Sequence, residues 1–257
     1  MPEIEIEIAD KIATVTLNRP AQRNSVTLAM WREIQTVFTT LGNDRTVRAI
    51  ILTGAGGNFS VGADVSEFGK VRSDLAQSKE YELAVDASSD AISGAPQPVI
   101  AVLRGYCLGG GCHLSMACDF RYAHPDAAIG IPAAKLSIVY GVRSTQRLLS
   151  LVGLTNAKRI LYSADRFSAV DAQHMGLIDL VSSDPISDAK SFGRGMASVA
   201  PLSVQGAKQI LTSLAMGGGR LDEVAANAFI ERVSDSDDYR EGRAAFAEKR
   251  PPAFRGS

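Results

Sequence analysis

The chain has 257 residues, 46% of them hydrophobic, and a formal net charge of −1 from 27 basic and 28 acidic side chains. Such a chain fills one large domain or a domain with an appendage, and its basic residues, dispersed singly, exclude a nucleic-acid surface, which needs clustered positive charge. No window reaches the roughly eighteen uninterrupted apolar residues of a membrane span, and Met1-Pro2-Glu3-Ile4-Glu5 lacks the basic start of a signal peptide, so a soluble cytoplasmic protein is expected.

In chain order, Ile4 to Ile8 alternates with period two and Ala13 to Leu17 makes a second strand, with Asp10-Lys11 as a hairpin-like turn between them. A helix is expected over Leu28 to Leu41. Two short β-branched apolar runs, Arg48 to Thr53 and Pro98 to Leu103, read as buried strands. A helix over Gln77 to Ser93 lies between them, and Cys112 to Cys118 reads as a short buried helix. Further helices are expected over Arg143 to Leu151 and Ala157 to Ser163. From about Pro185 the pattern turns wholly helical, through Ala189 to Val199, Ser203 to Met216, Leu221 to Val233 and Asp237 to Lys249. Pro201 and Gly217-Gly218-Gly219 punctuate it, and Ser182-Ser183-Asp184-Pro185 is the expected joint, which divides the chain into residues 1–185 and 186–257. The fold class is α/β with a helical tail. Cys107, Cys112 and Cys118 are odd in number, embedded in an apolar stretch and without CxxC spacing, so they read as buried free thiols and no metal site is expected.

Each of the two apolar runs opens onto a glycine-rich segment: Asn58-Phe59-Ser60-Val61-Gly62-Ala63-Asp64 after the first, Arg104-Gly105-Tyr106-Cys107-Leu108-Gly109-Gly110-Gly111-Cys112-His113 after the second. The helix behind Gly109 leaves its first-turn amides as unpaired donors at the positive end of a dipole. If the Ala63 amide converges on the Gly110 amide, the pair forms an oxyanion hole, which lowers the cost of charge on a thioester or ester carbonyl oxygen. Other glycine readings fit less well. Gly54-Ala55-Gly56-Gly57-Asn58-Phe59 has Phe59 where a dinucleotide fingerprint needs its third glycine, and Ser60 has Asn58 where a nucleophile elbow needs its first.

The Gly62-Ala63-Asp64 and Gly109-Gly110-Gly111-Cys112 loops resemble those of the crotonase family, also called the enoyl-CoA hydratase/isomerase family. Leu17-Asn18-Arg19-Pro20-Ala21-Gln22-Arg23-Asn24 is similar to its opening signature and Ser144-Thr145-Gln146-Arg147-Leu148 to its threonine-glutamine-arginine-leucine segment. Ala169 to Ile178 resembles its alanine-rich helix, and Phe246 to Phe254 its ending. The resemblance implies a spiral of ββα turns followed by a helical subdomain that assembles trimers, or hexamers as dimers of trimers. No internal repeat in the sequence displays that spiral. The resemblance further implies an acyl-CoA substrate held by Gln22 and Arg23 at the adenine and phosphates, by Val61, Ala63, Asp64, Val65 and Ser66 along the pantetheine, and by Phe246 and Lys249 from a neighbouring subunit. Coenzyme A enters as part of the substrate, and no separate cofactor is expected.

The family's hydratases add water with two glutamates. The first of those positions holds His113 and the second, aligned through Ile131-Pro132-Ala133-Ala134-Lys135-Leu136, holds Ala133, which cannot transfer a proton. What remains near the thioester is His113, expected neutral at a helix N-terminus, with Tyr140 and Arg143 from the following loop. Asp64 is expected to cap the helix after its loop rather than to react. Three readings stay open. One is an isomerase, lyase or atypical hydratase that stabilises an enolate at Ala63 and Gly110 and moves protons with His113 and Tyr140. The others are a thioester or carbon–carbon bond hydrolase in which His113 activates water, and a catalytically silent CoA-binding homologue.

Overall fold

The computed structural model describes residues 2–217 and 221–257; the expected turn at Gly218-Gly219 lies outside them. Strands β1 (Ile4–Ala9) and β2 (Ile12–Leu17) form the expected hairpin, with Asp10 and Lys11 both at positive φ in the turn. Helix α1 (Leu28–Asn43) starts at Thr27, whose side chain accepts from the Met30 N–H. Strand β3 (Ala49–Gly54) follows, then short α2 (Phe68–Val71), long α3 (Leu75–Gly94), and β4 (Val99–Leu103). Next come β5 (Tyr106–Leu108), α4 (Gly110–Ala117), β6 (Phe120–Ala123), β7 (Ala128–Gly130), α5 (Val142–Ser163), β8 (Arg166–Ser168), α6 (Ala169–His174) and β9 (Leu180–Val181). The two helices expected between residues 143 and 163 run as one element broken at Gly153, whose φ of 70° and ψ of 171° leave the helical region.

Two sheets result. A six-stranded sheet has the order β1-β2-β3-β4-β6-β9 and a three-stranded sheet the order β5-β7-β8. Successive strands alternate between them: β4 in the first, β5 in the second, then α4; β6 in the first, β7 in the second, then α5. This is the ββα spiral. Because all but the β1–β2 pairing in the large sheet are parallel, both its faces need covering. Period two does this directly. Ile50 and Leu52 of β3, with Val99, Ala101 and Leu103 of β4, enter the main core beneath α1 and α3, whereas Ala49, Ile51, Ile100 and Val102 face Ala189 of α7 (Pro185–Ala197). The edge strand β1 has no such second layer, so Ile6 and Ile8 stay about half exposed.

Beyond α7 the chain forms α8 (Pro201–Met216), α9 (Glu223–Ser234) and α10 (Asp237–Glu248). Asp184, in the expected joint, caps α7, which starts four residues before the expected Ala189 and packs on the sheet, so the packing border of the helical tail lies at Pro201. Polar contacts tie tail to core: Lys208 Nζ donates to Asp119 Oδ2 at 2.7 Å and to the Gln97 carbonyl at 3.0 Å, Asp119 in turn accepts the Val99 N–H that begins β4, and Gln146 of α5 donates to the Ala215 carbonyl at 3.2 Å. All three cysteines are buried and free. Among the described residues no helix is long and apolar enough to cross a membrane.

Candidate active site

The two glycine-rich segments are laced together by main chain. Residues 59–61 run parallel to β5: Phe59 N–H donates to Arg104 O, Ser60 N–H to Tyr106 O and Leu108 N–H to Ser60 O, all within 2.8–2.9 Å. On its other side the first loop pairs with Val26, which donates to Gly62 O at 2.8 Å and accepts the Asp64 N–H at 2.9 Å. The bonds flank Ala63 and skip its own N–H. In the second loop Gly109 takes φ 51°, ψ −112°, a conformation open to glycine alone, and thereby starts α4 with no side-chain cap over Gly110. Neither the Ala63 N–H nor the Gly110 N–H has an acceptor among the described residues.

The two free amides stand side by side. A Cβ on Gly110 would lie 3.1 Å from Ala63 N and 3.1 Å from the Trp31 ring, and a Cβ on Gly62, at φ 93°, would lie 2.7 Å from Gly110 N. Glycine at 62 and 110 is what lets two donors share one oxygen. Trp31 behind Gly110 is itself fixed, donating Nε1–H to Tyr81 Oη at 2.8 Å. Ser60 is fully buried and donates its hydroxyl to Asn24 O at 2.7 Å, a brace for the loop. Asp64 also braces it: its carboxylate accepts from Ser66 N–H and Oγ–H, Arg19 and Ser25, which holds its pKa down at about 2. It caps the turn Val65–Glu67, as expected.

Beside the loops lies a cleft of about 500 Å³ lined by Gln22, Arg23, Val61, Tyr106, Leu108 and Arg166, among others. It brings together Gln22 and Arg23, expected at the nucleotide, and Val61, expected along the pantetheine. Sequence reasoning missed Tyr106 and Arg166: the guanidinium carbons of Arg23 and Arg166 lie 5.4 and 5.2 Å from the Tyr106 ring centroid. Tyr106 was available in the second glycine-rich segment; Arg166 sits on β8 in no motif. Two cations flanking an aromatic face, with no carboxylate in the lining, suit a nucleotide carrying phosphates. Phe246 and Lys249 lie on α10 and at its C-terminal cap, Phe246 largely exposed, and neither lines this cleft.

The acid/base positions look different. His113 is 1% exposed, with its ring edge-on to Trp31 at 6.4 Å between centroids. Its Nε2 contacts Val85 O at 3.3 Å and its Nδ1 the Ser144 hydroxyl. With Nε2–H donating to the carbonyl, Nδ1 accepts from Ser144, and both nitrogens are engaged. The ring is neutral, its pKa pushed down to about 4, first by burial and then by the Arg147 charge. Both ring nitrogens of the expected proton-transferring histidine thus have partners within the chain. Ala133 lies in the turn Pro132–Leu136 and lines an apolar hollow of about 820 Å³ with Ile138, Val139 and Tyr140. Arg143 is paired with Asp86 and Asp90 of α3. Tyr140 donates its hydroxyl to Gly109 O at 3.3 Å, and burial pushes its pKa well above the usual tyrosine value. Among the described residues no cluster of metal-ligating side chains occurs.

The parallel spiral thus presents two unpaired amides on adjacent loops. The family model for enoyl-CoA hydratase/isomerase matches residues 7–257, and the chain belongs to that family. It is similar to a short-chain-enoyl-CoA hydratase from Clostridium acetobutylicum, 33% identical over 95% of this chain and 94% of that one. It is 31% identical to a 2,3-dehydroadipyl-CoA hydratase from Escherichia coli over the full length of both. A solved enoyl-CoA hydratase/carnithine racemase from Magnetospirillum magneticum superposes with a TM-score of 0.93 at 33% identity, covering 100% of this chain and 97% of that one.

Proposed function

We propose that this protein binds an acyl-CoA thioester and stabilises the enolate formed from it, in an isomerase, lyase or atypical hydratase reaction. The observation that carries this reading is the pair of unpartnered amides, Ala63 N–H and Gly110 N–H, placed next to each other by strand pairing. Donors aimed at one oxygen lower the energy of a state in which that oxygen carries charge. In this reading the nucleotide end of CoA lies in the Arg23–Tyr106–Arg166 cleft and the pantetheine passes Val61, Ala63, Asp64, Val65 and Ser66. Phe246 and Lys249 serve the CoA bound to a neighbouring subunit of a trimer, or of a dimer of trimers. No cofactor beyond the substrate's own CoA is required.

With His113 enclosed, proton transfer passes to another group. Glu82 of α3 is half exposed, bonded to Arg72 at 2.9 Å, and its charge acts on both Tyr81 and Tyr140. We assign the proton-transferring role to a carboxylate of α3, Glu82 or Asp86; Asp86, one turn further, lies 4.0 Å from Arg143, and burial raises its pKa. A second reading, a catalytically silent CoA-binding homologue, draws support from the apolar surroundings of Ala133 and the internal satisfaction of His113. The hydrolase reading loses its base, since His113 offers no nitrogen to water.

The test is incubation of the purified protein with enoyl-, 3-hydroxyacyl- and 3-oxoacyl-CoA thioesters followed by mass spectrometry. Gain or loss of one water, or an isomer separated by chromatography, abolished in Glu82→Gln or Asp86→Asn but retained in a folded His113→Asn variant, is the expected result. Release of free CoA points instead to hydrolysis. Tight CoA binding without any conversion favours the silent homologue.

A further inference from the structure

The hydroxyl of Tyr140 and the amide of Gly110 belong to one chain of dipoles. Tyr140 donates to the carbonyl oxygen of Gly109 at 3.3 Å, and that carbonyl is the other end of the same planar peptide unit that carries the Gly110 N–H. A second donor, the His113 N–H, reaches the same oxygen at 3.0 Å as the first backward bond of α4. On the preceding side, the Gly109 N–H is tied to Gly130 O at 2.9 Å. The Gly109 carbonyl thus accepts two donors, and the preceding peptide is fixed as well, although Gly109 has no side chain.

Hydrogen bonds accepted by an amide oxygen draw electron density from the nitrogen and make its N–H a stronger donor. Trp31, fully buried, stands against this peptide on one side. Tyr140 is itself anchored where α5 begins, its carbonyl accepting the Thr145 hydroxyl at 3.3 Å. Burial keeps its hydroxyl protonated at ordinary pH, so it acts as a permanent donor.

We propose that Tyr140 is a positioning residue of the oxyanion hole: its hydroxyl holds and polarises the Gly109–Gly110 peptide so that the Gly110 N–H meets the substrate oxygen as a strengthened donor. This rests on the reading that Ala63 and Gly110 together receive a thioester oxygen. It gives Tyr140 a role in catalysis without any proton leaving it. A tyrosine retained for packing alone would leave a bound carbonyl unchanged when its hydroxyl is removed.

The experiment uses butyryl-CoA, a saturated thioester that does not turn over, carrying ¹³C at its carbonyl, bound to the full chain and read by difference infrared spectroscopy. In the wild-type protein the bound carbonyl stretch is expected to fall below that of the free thioester. Tyr140→Phe is expected to lose about 10–30% of that fall, the share that one cooperative bond contributes, while thermal midpoint and butyryl-CoA affinity hold. Incorporation of 3-fluorotyrosine at position 140, a more acidic phenol of nearly the same size, is expected to increase it. Equal stretches in all three proteins would overturn the role of Tyr140 while leaving the oxyanion hole standing. No fall in the wild-type complex would overturn the oxyanion-hole reading and this inference with it.

Discussion

The two loops that carry Ala63 and Gly110 and the two positions held by His113 and Ala133 are made of different material. The loops act through main-chain amides, fixed by parallel pairing of residues 59–61 with β5 and by the Val26 bridge. The acid/base positions act only through whatever side chain stands there, and in this chain one points its ring into the interior and the other has none to offer. Main-chain devices survive a change of neighbouring side chains; side-chain devices do not.

The sharpest way to break that contrast is Gly110→Pro, which removes one donor and places ring atoms against Trp31 and Ala63 N. Turnover of whichever thioester the panel identifies should fall about 10²- to 10³-fold, and retention of rate would refute the amide pair as the catalytic device. Next comes the pH dependence of stability at His113. Its folded pKa of about 4 lies below its ordinary value of 6.5, so below pH 6.5 the unfolded chain takes up a proton that the folded chain refuses. Stability present at neutral pH is thus lost as pH falls from 6.5 toward 4, by about 3 kcal/mol in all, and is flat above. Urea midpoints of wild type and His113→Gln between pH 4 and 7 measure it; equal slopes would mean that the ring is solvent-accessible and free to react.

Smaller effects probe the side-chain part of the pocket. Arg166→Ala should weaken CoA binding about tenfold, the scale of one charge-assisted contact, seen by calorimetry, with turnover at saturation unchanged. Unaltered affinity would remove the Tyr106 cleft from the CoA path. Lys249→Ala should have the mildest effect, raising KM about two- to fivefold as expected of an exposed charge, with kcat unchanged. A fall in kcat instead would place Lys249 in the chemistry.

What was legible in the sequence follows the same division. Strands β3 and β4, the glycine loops behind them, the Asp64 cap and the break in α5 near Gly153 could be read because buried runs, glycine conformations and caps are local properties. The spiral was not visible from internal repetition, since its turns carry a single bridge at Ser60, then full strands at β5 and β7, with little shared pattern. The direction of the His113 ring depended on Val85 of α3 and Ser144 of α5, residues about thirty positions away on either side. Arg166 reached Tyr106 only through the second sheet. The boundary at residue 185 followed composition, while the packing border at Pro201 follows the apolar face of α7, which the sheet rather than the tail covers.

The lacing of residues 59–61 to β5 has an evolutionary consequence. The hydrogen bonds that set the distance between the two amides use no side chain that also handles protons, so drift at positions 113 and 133 leaves the electrophilic half of the pocket intact. A gene copy changed at those positions keeps the two amides where they are, whatever side chains replace His113 and Ala133. Scaffolds of this kind can exchange chemistries by point substitution, with no intermediate that has to rebuild its fold.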